Sequence, residues 1–402
     1  MKKITVLYDL NIMADAFHPG SSRSGIFRVA WEIFVAFSKR KDVKLIIFCD
    51  FGLFYKLQEY LGNLGFNNLA YAVIPDRRPS MRRVRSITRW VISRLKLFFD
   101  SKVIMAKNIK CDYFLVPSLW QYEKIDIGSN PQVFAMGYDL MPLLFPEYYP
   151  EEGWKSKFEA FDNYFAISSY TKADFLKHLP HLKPENIIVT PLACDERFKA
   201  ANADEITKAR KKYNIPENKK YIFSLCTLEP RKNLLRTVKC FANFISKNNI
   251  DDLVFVLGGA QWDRFISILE NEIGSLDKNI KSRILKIGYV DDSDQAALYS
   301  GALFFVYTSQ YEGFGLPPLE AMSCGTPVIT SNNSSLPEVV GQAAIMIDYD
   351  DDVAHIKAYE SYYYDENLRK ENSKKGLERA KLFSWEKCAD IMITEMKRRA
   401  GL

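Results

Sequence analysis

The residue types best suited to chemistry are concentrated in Tyr311-Glu-Gly-Phe-Gly-Leu-Pro-Pro-Leu-Glu320, which continues into Ala-Met-Ser-Cys-Gly-Thr-Pro-Val-Ile-Thr330. The apolar run 303–307 ahead of it reads as a buried strand. Gly313 and Gly315 permit a tight turn and close backbone approach. Pro317 and Pro318 suit the first turn of a helix, where a missing N–H costs little, and Gly325 stops that helix. Strand, glycine loop and helix start thus follow one another, and the free N–H groups and positive dipole end offer a seat for phosphate. Glu312 lies in the loop and Glu320 about one turn into the helix, both suited to accepting hydrogen bonds from sugar hydroxyls. Carboxylates on either side of an anion seat fit a ligand with hydroxyls flanking a phosphate, as in hexose–diphosphate–ribose. The plainer alternative is a Gly/Pro turn whose glutamates only complement the helix N-terminus.

A second segment, Thr227-Leu-Glu-Pro-Arg-Lys-Asn233, follows the apolar run 221–225. Arg231 and Lys232 would then sit where a strand ends in an open α/β sheet, the usual ligand edge. Arginine can fork across phosphate oxygens and lysine acts as a point charge. A solvated basic turn is the alternative.

The elements that must position these residues show as short continuous apolar runs between amphipathic segments. Runs at 4–7, 45–48, 113–116, 133–136 and 165–167 suit strands buried on both faces of a parallel sheet. The pattern restarts at 221–225, 253–257, 284–287, 303–306, 327–329 and 344–347, with helices expected from about Asn233, Trp262, Ser293, Pro317 and Asp352. The chain therefore reads as two doubly wound α/β domains in series. The division is expected as 1–200, 201–383 and a terminal helix 384–402 that returns to the N-terminal domain. Ser384 is the expected N-cap of that helix, and Lys397, Arg398 and Arg399 suit its C-terminal dipole.

Glu-Pro-Arg-Lys-Asn at 229–233, Gly288-Tyr-Val, and a Glu-(seven residues)-Glu segment carrying Gly-Phe-Gly occur here in an order that resembles glycosyltransferase family 4. The resemblance spans roughly 220–345. The N-terminal half matches more loosely. Ser24-Gly25-Ile26-Phe27-Arg28 is similar to the family's glycine loop, and Tyr138-Asp139-Leu-Met-Pro resembles a His-Asp segment of its bacterial polysaccharide members.

The resemblance implies a GT-B fold, two Rossmann-like domains facing an inter-domain cleft. It implies a retaining hexosyltransferase of surface polysaccharide (O-antigen or capsule) biosynthesis. The donor would be a GDP- or UDP-sugar, mannose favoured, used without a metal or other cofactor, and the acceptor a glycan or lipid-linked glycan. Arg231 and Lys232 would hold the diphosphate, Glu312 the transferred sugar and Glu320 the ribose. Backbone N–H groups at Gly313, Phe314, Gly315 and Leu316 would face sugar and phosphate, with Gly25 and Thr227 also at the donor. Tyr289 and Val290 would lie beside the base. Asp139 would join Glu312, Arg231 and Lys232 as catalytic residues, with Tyr138 near the anomeric centre. There are two departures from the family pattern. Cys226 stands where glycine is frequent. Tyr138 replaces a histidine, so no positive charge is available at that position.

Composition sets the outer limits. The 402 residues carry 55 basic and 49 acidic groups, a net charge of +6, too small an excess to imply nucleic acid by itself. The seven scattered cysteines form no Cys-x-x-Cys pair and read as free thiols. Asp9 interrupts the N-terminal apolar run too early for a signal peptide. Of the four histidines, at 18, 178, 181 and 355, none lies in the C-terminal motifs. Only His18, near the glycine loop, is a candidate. The acidic run 348–352 reads as a solvated loop and helix start, and no metal site is expected. From 77 to 96 there are seven arginines, one lysine and no acid. Trp90, Val91, Ile92, Leu95, Leu97, Phe98 and Phe99 interleave with them or follow directly. This stretch, 77–99, suits an anionic membrane surface. A core-packed helix with a basic outer face is the alternative, and no recognition module accompanies it that would make nucleic acid a partner. The expected location is the cytoplasm, peripheral at the inner face of the membrane.

Three rival readings differ in what they require of the sequence. An NAD-dependent oxidoreductase needs Gly-x-Gly-x-x-Gly after a strand, which Gly258 and Gly259 do not supply. A non-catalytic nucleotide-sugar-binding protein is kept open by Tyr138. A GT-B epimerase or phosphorylase is disfavoured by the segment 229–233.

Overall fold

The computed structural model describes residues 3–17, 25–74, 103–105, 109–119, 122, 127, 129–149, 152–260 and 263–402. The basic stretch 77–99, His18, Ser24 and Trp262 lie outside the described residues. The chain forms two compact units. One comprises Met1–Ile167, Thr171–Thr190 and Trp385–Leu402, the other Ser168–Tyr170 and Pro191–Ser384. The main division thus falls at 190/191, earlier than the expected 200/201.

The first unit is built on eight parallel strands. They are β1 (Ile4–Asp9), β2 (Val43–Asp50), β3 (Ala70–Ile74), β4 (Val103–Met105), β5 (Tyr113–Val116), β6 (Gln132–Gly137), β7 (Tyr164–Ala166) and β8 (Ile187–Val189). Their order is β4-β3-β2-β1-β5-β6-β7-β8. Sequence order reverses between β1 and β5, where a doubly wound sheet opens a crevice at its strand C-termini. Strands β3, β4 and β8 had no counterpart among the expected runs. Two of them are three-residue edge strands, too short to show a hydrophobic pattern. Leu7, Phe48, Phe114, Ala135 and Phe175 pack in one core cluster.

The helix Trp385–Arg399 belongs to this first unit. It buries Met392, Ile393 and Met396, each contributing about 1.5–3 kcal/mol by removal from water. The Tyr113 hydroxyl donates to Met396 O, and Lys397 pairs with buried Asp42. Glu386 opens the helix and Lys397, Arg398 and Arg399 close it, the polarity its dipole favours.

The second unit holds six parallel strands. They are β9 (Lys220–Leu225), β10 (Leu253–Gly258), β11 (Ile284–Gly288), β12 (Phe304–Tyr307), β13 (Val328–Ser331) and β14 (Ala344–Ile347). Their order is β11-β10-β9-β12-β13-β14, so the reversal lies between β9 and β12. The helix Leu234–Lys247 presses Leu234, Val238, Phe241 and Phe244 onto Ile222, Phe255 and Leu257 of the sheet. Gly259 is required by close approach. Its φ is +131°, and a Cβ there would lie 1.7 Å from Cys226 O.

Candidate active site

The two segments singled out from the sequence leave adjacent strands at the second sheet's reversal, β9 leading to 227–233 and β12 to 308–316. Pro230 opens a single 3₁₀ turn, Pro230–Lys232, and its fixed φ suits that first position. Asn233 then takes a left-handed conformation, φ 59°, and starts the helix Leu234–Lys247. Asparagine tolerates that region better than most residues, and its side-chain amide donates to Tyr349 O at 2.6 Å. The two loops are tied by Gln310 N–H donating to Arg231 O at 2.8 Å and Ser309 Oγ donating to it at 3.1 Å.

On the other side, Ser334 Oγ accepts from Glu312 N–H at 3.0 Å. Ser335 Oγ donates to Glu312 O at 2.8 Å and to Phe314 O at 2.6 Å. Gly315 has φ 121°, and a Cβ there would meet Leu336 Cδ2 at 2.8 Å. The backbone of 312–315 is therefore pinned by the segment after β13. The helix Leu316–Ser323 starts from Gly315 with Pro317 and Pro318 in its first turn, as expected. Neither proline has an N–H to donate, so the helix start directs few N–H groups outward. Phe314 is buried edge-on against Phe383, ring centroids 5.8 Å apart.

Within this frame Arg231, Lys232 and Glu312 converge. One carboxylate oxygen of Glu312, Oε1, accepts from Lys232 Nζ at 2.6 Å and Arg231 Nη1 at 2.7 Å. The Tyr307 hydroxyl, at the end of β12, donates to the same oxygen at 2.9 Å and accepts from Lys232 Nζ at 2.6 Å. Glu229 pairs with Arg231 from the other side. Lys232, Tyr307 and Glu312 are all buried. Burial pushes the Glu312 carboxyl up, but the charges of Arg231 and Lys232 outweigh it and hold the group down at about 2. The Tyr307 phenol is driven well above its usual range by burial, with the Glu312 charge adding to the effect. Cys226, partly buried beside this cluster, has its thiol pushed up to about 12 by burial, so it stands as a neutral wall.

The other expected contacts divide. Glu320 lies one turn into its helix, but it is only 2% exposed, and its Oε2 accepts from the Tyr299 hydroxyl at 2.9 Å. Thr227 is exposed on the loop after β9. Tyr289 is 55% exposed, whereas Val290 is 1% exposed. The side chain of Val290 faces the core, where a Cβ on Gly258 would meet its Cγ2 at 2.9 Å. The Val290 side chain therefore serves packing. Gly288, with φ 70°, turns the chain so that Tyr289 faces outward and Val290 inward.

Gly25, Tyr138 and Asp139 belong to the first unit. Gly25 is exposed and opens the helix Gly25–Ser38 with open space around its α-carbon. Asp139 Oδ1 accepts from Met141 N–H at 3.0 Å and shapes the turn after β6. The Tyr138 hydroxyl is buried, with Tyr8 and Cys388 as its neighbours, and burial raises its pKa far above the usual range. The hydroxyl is enclosed within its own unit.

Three residues escaped the sequence reading. Tyr307 and Tyr299 are aromatics in apolar surroundings, and nothing in their spacing separates them from core. Asp9, the last residue of β1, is a buried carboxyl at the first sheet's reversal. Its Oδ1 accepts from Asn11 N–H at 2.9 Å. Burial, and secondarily the charge of Asp50, raise it to about 7 despite that hydrogen bond.

Residues 205–379 match the family model described as glycosyl transferases group 1. The chain is 32% identical to the O-antigen chain mannosyltransferase B of Escherichia coli over 267 residues, 65% of this chain and 68% of that protein. It is 29% identical over 276 residues to the serotype-specific mannosyltransferase WbdA of the same species, but spans only 33% of that longer protein. The Anabaena HepE structure in complex with UDP-glucose superposes with a TM-score of 0.67 at 14% identity, covering 99% of this chain and all of that one. Two parallel doubly wound units, a cation–carboxylate cluster at a strand reversal and these likenesses lead to one assignment: the chain belongs to the group 1 glycosyl transferases and is a glycosyltransferase of GT-B fold.

Proposed function

We propose that the protein is a retaining hexosyltransferase of bacterial surface polysaccharide biosynthesis. It moves a sugar, mannose in the leading case, from a GDP- or UDP-sugar to a glycan or lipid-linked acceptor. The observation that carries this is the buried meeting of Arg231, Lys232 and Glu312 beside the helix start at Leu316. Two fixed cations can neutralise the charge that develops on a departing diphosphate, which is where preorganised charge lowers a barrier most. Glu312, kept ionised, is an acceptor for the hydroxyls of the transferred sugar. The departing diphosphate oxygen takes the proton from the acceptor hydroxyl on the same face, so that no histidine base and no metal is assigned a role. The preference for mannose is supported by the names of the relatives, and for a nucleoside diphosphate donor by the ligand in the HepE structure.

Thermal shift with a panel of UDP-, GDP- and dTDP-sugars tests the donor, since a specific ligand raises stability with its saturation. No stabilisation by any of them defeats the reading. Proton NMR of the product tests retention: an anomeric configuration opposite to the donor's excludes it. Among the described residues no helix is long and apolar enough to cross a membrane. The basic stretch 77–99 supports docking at an anionic surface, which would bring the site to a lipid-linked acceptor. Co-sedimentation with anionic vesicles, unaltered by charge reversal at Arg82, Arg83 and Arg85, would remove that part.

A further inference from the structure

Glu312 and a donor diphosphate require the same two cations. The carboxylate already takes Lys232 Nζ at 2.6 Å and Arg231 Nη1 at 2.7 Å, and Arg231 is engaged by Glu229 as well. Two acids and two bases therefore balance inside a buried cluster. Adding a diphosphate to that balance brings negative charge that desolvation makes costly unless a carboxylate releases its cation. Tyr307 differs from the other groups on Glu312. Its phenol is uncharged, fully buried, and contacts both Glu312 at 2.9 Å and Lys232 at 2.6 Å. A diphosphate gains most from the two cations, whereas the neutral hydroxyl is already buried against the carboxylate.

We propose that donor binding is an anion exchange: Glu312 is an internal counter-ion on Arg231 and Lys232 that the diphosphate displaces, and Tyr307 is the positioning residue that retains the carboxylate while the cations change partner. Displacement frees Glu312 for the sugar hydroxyls only when the diphosphate is seated. The inference rests on the donor-site reading above and adds to it an order of events. It also predicts an effect with the wrong sign for a simple contact residue: removing the charge of Glu312 strengthens the binding of a diphosphate that bears no sugar.

The test is calorimetric titration of the full chain with inorganic pyrophosphate and with UDP and GDP. Glu312→Gln should bind all three about tenfold tighter, the scale of one charge-assisted hydrogen bond released from competition. Tyr307→Phe keeps the ring but not the hydroxyl. It should weaken pyrophosphate binding about threefold in the wild-type background and leave it unchanged when combined with Glu312→Gln, a non-additive pair. A merely structural Tyr307 would cost the same in both backgrounds. Glu312→Asp, too short to span both cations, should shift affinity in the same direction as Gln and serves if the Gln variant does not fold. If wild type binds and both Glu312 variants bind no tighter, the exchange is wrong and the donor site stands. If wild type binds none of the three, or Arg231→Ala binds as wild type does, the donor-site reading fails and the exchange with it.

Discussion

The two sheets reverse their strand order in the same way, yet the carboxyls at the two reversals differ in electrostatic character. In the second unit Glu312 lies against Arg231 and Lys232 and is held down at about 2. In the first unit Asp9 is equally enclosed but has Asp50 as its charged neighbour, and it is raised to about 7. Burial acts on both in the same direction, so the neighbouring charge decides the outcome. The first carboxylate is a permanent ion, suited to recognising hydroxyls and to balancing cations. The second changes charge near neutral pH. A doubly wound unit thus supplies the place, and a few side chains on the loops after the strands decide what the place does.

The largest effect expected from breaking this contrast is on turnover. Arg231→Ala should lower kcat about 10²–10³-fold by removing charge from the leaving group. Glu312→Ala should abolish transfer while nucleotide binding survives. Single-turnover transfer with a matched donor measures both, and wild-type rates in both variants would end the assignment. Next comes the pH dependence of folding. Asp9 binds a proton in the folded state up to about pH 7 but in the unfolded chain only up to its ordinary value of 3.8, so stability falls as pH rises through that window. Asp9→Asn should be about 2–4 kcal/mol more stable than wild type at pH 8 and show no gain near pH 4, by urea unfolding. Glu312 is the mirror case. Its folded value lies below the ordinary 4.5, so its contribution is present above 4.5 and is lost as pH falls toward 2. Glu312→Gln should therefore flatten the acid limb of the stability profile, and an unchanged limb would argue against the ion pairs.

Smaller effects separate the two glutamates of the motif. Glu320→Ala should weaken nucleotide binding about tenfold while saturated transfer persists, as expected for a lost hydrogen bond to one substrate part. Tyr299→Phe removes only the donor on Glu320 Oε2 and should weaken nucleotide binding by about 1 kcal/mol or less. Calorimetric titration with the nucleoside diphosphate reads both. A Tyr299→Phe loss larger than that of Glu320→Ala would show that the phenol, rather than the carboxylate, meets the ligand.

Much of the fold was legible because a strand buried on both faces leaves a continuous apolar run and a crossover helix leaves a periodic one. Runs at 221–225 and 253–257 became β9 and β10 with shifts of one residue at an end. The edge strands β4 and β8, three residues each, left no such trace. Arg231, Lys232 and Glu312 were legible from their chemistry and from the Gly and Pro residues beside them. At 289–290 a motif gives only neighbours in sequence, whereas the turn at Gly288 decides which side chain faces in. At Tyr138 the residue type says what the side chain can donate, and only the fold shows that its hydroxyl is buried beside Tyr8 and Cys388.

The sequence alone determined that two parallel α/β units follow one another and that a glycine loop with two glutamates and a basic turn are the candidate site. These are local matters of periodicity, backbone permissiveness and side-chain type. Only the tertiary structure decided that β9 and β12 are neighbours, which brings residues 80 apart, Lys232 and Glu312, within 2.6 Å. It alone decided that Tyr307 lies between them, and that among the described residues no cation compensates the burial of Asp9. Ionisation depends on distance and dielectric, and both are set by which strands pair.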